Sequence, residues 1–158
     1  MTNETDATTA PWAQTVPGQL MAPGHGAGDL LEAYKWRILD ERPGLLQVQV
    51  HLPESLKNPQ GQLFGGFTQT YVDLVSLYTV HTVDSDKDPT DERSWLTTIN
   101  MRCDYFEPIV DATFTITGEI VNQRGLTTLV ATKFFQADTM AAHAVTTIRE
   151  LPNVARNG

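Results

Sequence analysis

The sequence predicts an α+β protein in which one long, buried helix packs against an antiparallel sheet. Three observations support this prediction. Several segments alternate apolar and polar residues with a period of two, as half-buried strands do. A single segment, residues 65–82, has the three-and-four spacing of a long helix and is apolar on nearly every side. The strand-like segments of the second half follow one another through short turns, which favours antiparallel neighbours.

Composition limits the classes of protein that fit. The chain has 158 residues, of which 41% are hydrophobic, enough for one domain with its own core. A net charge of −8 argues against binding to nucleic acid or to anionic membranes, which needs basic patches. No apolar run approaches the roughly 20 residues of a membrane span, and the N-terminus lacks a secretory signal. We therefore expect a cytoplasmic protein without a membrane span.

The domain is predicted to occupy residues 28–151. Residues 1–27 are rich in Thr, Ala, Pro and Gly and predict a flexible N-terminal arm, in which Trp12 and residues 20–21 are the groups suited to docking on a folded surface. Residues 152–158 are predicted to form a C-terminal tail. The single cysteine, Cys103, excludes an intrachain disulfide and a cysteine-based zinc cluster.

The strands follow in order after a short helix and strand predicted within residues 28–41. The clearest strand covers residues 45–52, where every second residue is Leu or Val. Further strands are predicted at residues 97–106, 113–121, 126–136 and 142–150, with turns at "NQRG" and "ADTMA". Together the later strands predict an antiparallel meander, and Gly118 is predicted to mark a β-bulge.

The strand at residues 97–106 has two predicted faces. Ile99, Met101, Cys103 and Tyr105 form its core face, while Thr98 belongs to the opposite, polar face. Between this strand and the long helix, the charged segment "VDSDKDPTDERSW" predicts an exposed loop. Within the helix, Asp73 places a carboxylate in the middle of an otherwise apolar segment.

The order of Asn58, Gly61, the pair Gly65–Gly66 and Asp73 ahead of these strands resembles the hotdog fold, in which a curved antiparallel sheet wraps one long central helix. The closest resemblance is to the PaaI-like acyl-CoA thioesterases. It covers about residues 35–150 and includes "YFEPI" and the hairpin "IVNQRGLTTLVATKFFQA". The resemblance implies hydrolysis of an acyl-CoA to a free acid and coenzyme A, with coenzyme A entering as part of the substrate and no separate cofactor.

The resemblance also implies roles for four residues. Asp73 would be the catalytic carboxylate, acting as a general base on water or as a nucleophile. The backbone N–H of Gly65 would stabilise the oxyanion, which suits a helix N-terminus with its unpaired donors. Asn58 would orient the thioester or the water, and the hydroxyl of Thr98 would lie near the attacking water.

Phe64 and Gly66 are the predicted substrate-binding residues beside this site. Many relatives have a histidine where this chain has Phe64, which makes the entrance more apolar. Gly65 and Asp73 are eight residues apart, or about 12 Å along one helix, so one helix cannot bring both to one carbonyl. We therefore expect a homodimer with the site between chains, and the resemblance implies that such dimers often pair into tetramers.

Alternatives stay open for each candidate. Asp73 would alternatively be a structural helix acid, the glycine pair a tight turn, Asn58 a turn starter and Thr98 a structural strand residue. Two other functions are a hotdog module that binds acyl-CoA or lipid without cleaving it, and a hotdog hydratase or dehydratase, which needs a well-placed histidine. No metal is predicted, because none of the histidines shows metal-ligand spacing (His25, His51, His81 and His143).

Overall fold

The computed structural model describes residues 10–83 and 95–151. It consists of two α-helices and a six-stranded antiparallel sheet. The helices are α1 (Gly26–Leu30) and α2 (Gly65–His81), and the strands are β1 (Arg37–Arg42), β2 (Leu45–His51), β3 (Trp95–Tyr105), β4 (Thr113–Arg124), β5 (Thr127–Gln136) and β6 (Thr139–Leu151). One long helix packed against a curved sheet confirms the predicted α+β hotdog architecture. Among the described residues, no helix has the length and hydrophobicity needed to cross a bilayer.

The strand order is β1-β2-β4-β5-β6-β3. The predicted meander is therefore correct for β4, β5 and β6 but wrong for β3, which pairs with β6 at the far edge of the sheet. The reason is that β2 occupies the other side of β4. All of β2 pairs there, from Leu45 opposite Glu119 to His51 opposite Thr113. The open side of β6 is left for β3, which becomes an edge strand.

The predicted N-terminal arm stays a prediction for residues 1–9, which lie outside the described residues, as do the tail at 152–158 and most of the charged loop, 84–94. The described part of the arm contacts the domain. Leu20 and Met21 are buried, and the N–H of Ile38 in β1 donates to the carbonyl of Gly18 at 2.9 Å. Burial of these two apolar side chains and backbone hydrogen bonding to β1 attach this part of the segment to the domain.

The core holds the middle of α2 against the sheet through aromatic rings. Tyr71 is fully buried and stacks on Trp36, with ring centroids 5.6 Å apart. It also meets the edges of Phe114 and Phe134 at 5.7 and 6.4 Å. Burying each such side chain stabilises the fold by about 1.5–3 kcal/mol, so these contacts fix where α2 lies on the sheet.

Gly118 does not mark a bulge, contrary to the sequence prediction. It pairs regularly with Leu46 on one side and Thr132 on the other. A Cβ atom at this position would lie 2.1 Å from Thr79 Oγ1 and 3.1 Å from Val75 Cγ1. The glycine is required because α2 crosses β4 here too closely for any side chain.

The predicted long helix is observed, but it is not equally buried on all sides. The helix buries the face that carries Tyr71, Val72 and Val75, but a second stripe is only half-buried. That stripe consists of Thr70, Asp73, Leu77, Tyr78 and His81. Residues three, four, seven and eight apart share one face of a helix, so these half-buried residues form one continuous side of α2.

Candidate active site

Asp73 lies in the half-buried stripe of α2 and faces strand β3. The hydroxyl of Thr98 donates a hydrogen bond to Asp73 Oδ1 at 2.5 Å. This distance is at the short end of the range for a hydroxyl bound to a carboxylate, a bond about twice as strong as one between neutral groups. Among the described residues, no protein partner is found for the other carboxylate oxygen, Oδ2. The pair therefore has one fixed oxygen and one that is open to a ligand.

Thr98 reaches Asp73 because β3 contains a bulge at Ile99. The pairing with β6 passes from Thr98 opposite Ile148 to Asn100 opposite Thr147, which leaves Ile99 unpaired. The extra residue reverses the alternation of faces, so Thr98 lies on the same side of the strand as Met101. Ile99 itself is 54% exposed, so its predicted place on the core face is wrong.

A cavity of about 470 Å³ opens beside Asp73. Its volume falls in the lower part of the range of about 300–1,000 Å³ that is typical of small-molecule sites. The cavity is lined by residues of α2, β3 and the N-terminal segment: Trp12, His25, Ala27, Thr70, Asp73, Leu74, Leu77, Tyr78, His81 and Leu96. An ionisable carboxylate at the wall of a largely apolar cavity is an arrangement suited to acid–base or nucleophilic chemistry.

Trp12, His25 and His81 are cavity residues that sequence reasoning did not select. The first two belong to a segment whose composition predicts a flexible arm, and His81 ends the helix, where a histidine is explained by the helix dipole alone. The one available signal was Trp12, a large aromatic residue in a stretch of small and polar ones.

The start of α2 offers open backbone donors. Phe64 is the N-cap residue, and no side chain caps the first turn. Among the described residues, the N–H groups of Gly65 and Gly66 have no hydrogen-bond partner. Tyr105 in β3 fixes this helix end, because its hydroxyl donates to the carbonyl of Gly65 at 2.8 Å. Burial raises the pKa of the Tyr105 hydroxyl. A tyrosine hydroxyl is already protonated at neutral pH, so it is able to donate there.

The glycine pair is not explained by a tight turn. Neither Gly65 nor Gly66 has the positive φ that would require glycine, whereas Gly61 in the preceding turn does, with φ at 77°. A Cβ at position 65 would meet only Tyr105 Cε1, at an ordinary 3.8 Å. The chain's own packing therefore does not demand glycine at Gly65, and the missing side chain leaves room above an open N–H group.

One chain does not bring all the predicted site residues together. Thr98 contacts Asp73, but Gly65, Gly66 and Phe64 lie at the start of α2, about 12 Å from Asp73 along the helix, and do not line its cavity. Phe64 is 55% exposed, and its ring covers the Cα of Gly66, where a Cβ would lie 3.1 Å from Phe64 Cε1.

Asn58 is used within its own turn. Its Oδ1 accepts hydrogen bonds from the backbone N–H groups of Gln60 and Gln62, both at 3.0 Å. Its Nδ2 donates to Gln62 Oε1 at 3.3 Å. The side-chain oxygen is thus occupied, and the predicted role of Asn58 at the thioester stays a prediction.

Comparison with known families decides the classification. The model of the family described as "Thioesterase superfamily" matches residues 60–143, just over half of the 158 residues. The chain belongs to the thioesterase superfamily. The matched region runs from the turn before α2 into β6, so it contains the glycine pair, Asp73 and Thr98. No curated protein matches this superfamily member significantly.

Solved structures share the fold of this thioesterase-superfamily chain. A thioesterase family protein from Silicibacter pomeroyi is 17% identical, with 82% of this chain and 91% of that chain covered at a TM-score of 0.67. A phenylacetic acid degradation-related protein from Ralstonia eutropha JMP134 is 18% identical, with 81% and 92% covered at a TM-score of 0.66. A hypothetical thioesterase protein from Streptococcus pneumoniae TIGR4, solved with coenzyme A, is 22% identical, with 73% and 88% covered at a TM-score of 0.63.

Two parts of this arrangement have chemistry suited to acyl transfer. A carboxylate beside a cavity is able to activate water or attack a carbonyl carbon. Unpaired N–H groups at a helix start are able to stabilise an oxyanion. The two parts lie on different sections of α2, so the chemistry requires something that brings them together.

Proposed function

We propose that the protein is an acyl-CoA thioesterase, which hydrolyses a thioester to a free acid and coenzyme A. The observation that carries this proposal is the Asp73 carboxylate, held by Thr98 at the wall of a cavity in a thioesterase-superfamily fold. The relative from Streptococcus pneumoniae that was solved with coenzyme A supports acyl-CoA as the class of ligand. The acyl group would enter the cavity, with coenzyme A extending outward.

In the general-base form of the mechanism, Oδ2 of Asp73 takes a proton from a water molecule. The water oxygen bonds to the thioester carbonyl carbon, and the resulting oxyanion accepts a hydrogen bond from the N–H of Gly65. The carbon–sulfur bond then breaks, and the sulfur takes up the proton as coenzyme A leaves. In the nucleophilic form, Asp73 Oδ2 attacks the carbonyl carbon, the carbon–sulfur bond breaks, and coenzyme A leaves as a thiolate that takes a proton from water. A water molecule then hydrolyses the mixed anhydride, which releases the free acid and restores the Asp73 carboxylate. Thr98 fixes the carboxylate in both forms.

We place the complete site between two chains of a homodimer, with dimers able to pair further. Strand β3 supports this, because it is an edge strand of eleven residues whose outer side has no pairing strand within residues 10–83 and 95–151. Large apolar side chains are exposed on β3, directly after it and at the start of α2, namely Ile99, Tyr105, Phe106 and Phe64. A second chain on this side would cover them and bring its own Gly65 towards Asp73.

The proposal is tested by free-thiol release from a panel of acyl-CoAs that carry aryl, short-chain and long-chain acyl groups. Asp73→Asn keeps the shape of the side chain and removes the base, so we expect a rate at least about 10²-fold lower, and up to about 10⁴-fold lower. Asp138→Asn is the matched control, because Asp138 is exposed in the β5–β6 turn, away from the cavity. An undiminished rate in Asp73→Asn would contradict the mechanism.

A non-catalytic acyl-CoA-binding module is the second candidate. The side chain of Asn58 is engaged in its own turn, and the exposed ring of Phe64 stands at the start of α2. Tight binding of acyl-CoA without turnover across the panel would favour this alternative over hydrolysis.

The hydratase alternative gains one observation from the structure. His25 is distant from Asp73 in the sequence, and His81 lies at the end of α2, eight residues after Asp73. Both histidines nevertheless line the same cavity as Asp73. Hydration of an enoyl-CoA is measured by the loss of the enoyl absorbance, and thiol release is measured in the same samples. The two signals separate hydratase activity from hydrolysis.

A further inference from the structure

One wall of the Asp73 cavity is built by the segment that precedes the domain. Trp12, His25 and Ala27 line this wall, α2 contributes the floor, and Leu96 of β3 lines the cavity from the sheet. The wall therefore belongs to a part of the chain that lies outside the region matched by the thioesterase superfamily, residues 60–143.

The segment is fastened to the domain by specific contacts. Met21 is buried, and Gly28 leaves space for it, since a Cβ at Gly28 would lie 2.2 Å from Met21 Sδ. The N–H of Ala22 donates to the carbonyl of Trp12 at 2.8 Å, which folds the segment back on itself. The N–H of Gly24 donates to the carboxylate of Asp29 at 3.0 Å. These contacts give the wall a defined position.

Trp12 is the largest side chain of this wall and is held edge-on by His25. Their ring centroids are 5.3 Å apart with an interplanar angle of 82°. The imidazole is fixed in turn, because its Nδ1 accepts a hydrogen bond from the N–H of Gly28 at 3.0 Å. Such a contact requires the tautomer that carries its proton on Nε2. The indole is thus a preorganised part of the cavity.

We propose that Trp12 is a specificity-determining residue that closes the cavity against long acyl chains. This rests on the proposed thioesterase function and names its substrate class: compact acyl groups, with long straight chains excluded. A cavity of 470 Å³ accommodates a small acyl group, and a rigid indole in its wall blocks further extension on the side of the N-terminal segment. Removing the indole opens that side.

The test compares kcat/KM for butanoyl-, octanoyl- and dodecanoyl-CoA in wild type and Trp12→Ala. The ratio of kcat/KM for dodecanoyl-CoA to kcat/KM for butanoyl-CoA is expected to rise at least about tenfold in Trp12→Ala. An apolar pocket discriminates by about 10- to 200-fold between substrates that differ by one methylene, so a pocket enlarged by a whole indole should shift the ratio by at least the lower figure. Trp12→Phe, which keeps a ring, is expected to shift the ratio less. Val16→Ala is the control from the same segment, because Val16 is 65% exposed and does not line the cavity. This control is expected to leave the ratio unchanged.

A second measurement separates this inference from the proposed function. Non-hydrolysable thioether analogues of the same three acyl-CoAs are titrated by calorimetry, so that binding preference is read even if wild type hydrolyses none of the thioesters. A folded Trp12→Ala with the wild-type chain-length preference in both measurements overturns the inference while leaving the thioesterase proposal intact. Equal loss of affinity for all three analogues overturns it as well.

A readout on the wild-type protein covers the case in which Trp12→Ala does not fold. The indole N–H resonance of Trp12 is assigned by its absence in the spectrum of Trp12→Phe. Addition of the butanoyl thioether analogue is expected to shift this resonance, because the ligand occupies the cavity that the indole lines. A resonance that stays in place while the analogue binds contradicts the proposed role.

Discussion

At the scale of single residues, the Asp73–Thr98 hydrogen bond is the strongest feature of the candidate site. It fixes one carboxylate oxygen at 2.5 Å, and the Asp73 side chain lines the cavity. A side chain held in this way loses little freedom when a substrate binds, which is the condition for efficient proton transfer or attack. The family resemblance named both Asp73 and Thr98 as site residues, but the apolar–polar alternation of β3 assigned Thr98 to the face opposite the core.

We predict that Thr98→Val lowers kcat about 10- to 100-fold. Valine keeps the branched shape but cannot donate, and a hydrogen bond to a charged group contributes about 1.5–3 kcal/mol. Thr98→Ser retains the hydroxyl and is expected to keep most of the activity. Both variants are assayed by thiol release with the best acyl-CoA of the panel, and an equal loss in the two would show that the hydroxyl is not what matters.

Tyr71 gives a prediction about stability. Burial, and to a lesser extent the negative charge of Glu32, raises the pKa of the Tyr71 hydroxyl. The unfolded chain ionises this group near pH 10, while the folded chain keeps the proton. The folded state is therefore favoured fully below about pH 10, and this contribution is lost as pH rises above it.

We expect Tyr71→Phe to weaken the alkaline loss of stability. At pH 7.5 the substitution should change the free energy of unfolding by no more than about 1 kcal/mol, because the buried hydroxyl has no hydrogen-bond partner among the described residues. Urea midpoints at pH 7.5 and pH 10.5 test this in wild type and Tyr71→Phe, with Tyr34→Phe as a control outside the core. The same alkaline decrease in all three proteins would contradict the assignment.

At the scale of elements, the sequence predicted the helix and strands that produce a regular apolar–polar pattern. It missed the local irregularities that depend on single residues. The long helix was predicted over residues 65–82 and is observed at Gly65–His81. The alternation in β3 failed at Ile99, because a bulge inserts one residue without leaving a signal in an apolar–polar pattern. Gly118 was singled out in the sequence as a bulge residue, but glycine is needed there because α2 leaves no room for a side chain. The position of α2 on the sheet cannot be read from the sequence pattern.

The contact between α2 and β4 predicts a strong effect of Gly118→Ala. The added methyl group would lie 2.1 Å from Thr79 Oγ1, and this side chain is held by a hydrogen bond of 2.7 Å to the carbonyl of Val75. We expect a loss of about 1–3 kcal/mol in the free energy of unfolding, the usual cost of overpacking. The measurement is a urea unfolding curve.

The double variant Gly118→Ala/Thr79→Ala is the matched test of the cause. Removing the hydroxyl makes room for the new methyl group, so the double variant should lose less stability than the sum of the two single variants. Additive losses would show that the contact with Thr79 is not what requires glycine.

At the scale of the whole molecule, the fold and the family were predictable, while the completion of the site was not. The order of glycines, acid and strands was sufficient to predict the hotdog architecture. The sequence marked Trp12 and residues 20–21 as suited to docking, but it did not show that Trp12 and His25 form a cavity wall, because this depends on how a segment of low hydrophobicity folds back onto the domain. Contacts between segments distant in the chain leave no local pattern in the sequence.

The proposed shared site gives the last prediction, which concerns mixtures of two inactive chains. Gly65→Pro removes the N–H that would bind the oxyanion, and proline is tolerated at the first position of a helix. Loss of one such donor should lower kcat about 10²- to 10³-fold. Asp73→Asn removes the acid. If each site takes Gly65 from one chain and Asp73 from the other, a mixed dimer of these variants contains one intact site.

Unfolding and refolding an equimolar mixture of the two variants should therefore restore about a quarter of the wild-type rate, because random pairing makes about half of the dimers mixed and each carries one working site of two. The variants refolded separately are the controls. A site made within one chain predicts no recovery, since every chain in the mixture lacks either the donor or the acid. Size-exclusion chromatography coupled to light scattering on the same samples shows whether the dimers on which the prediction depends have formed.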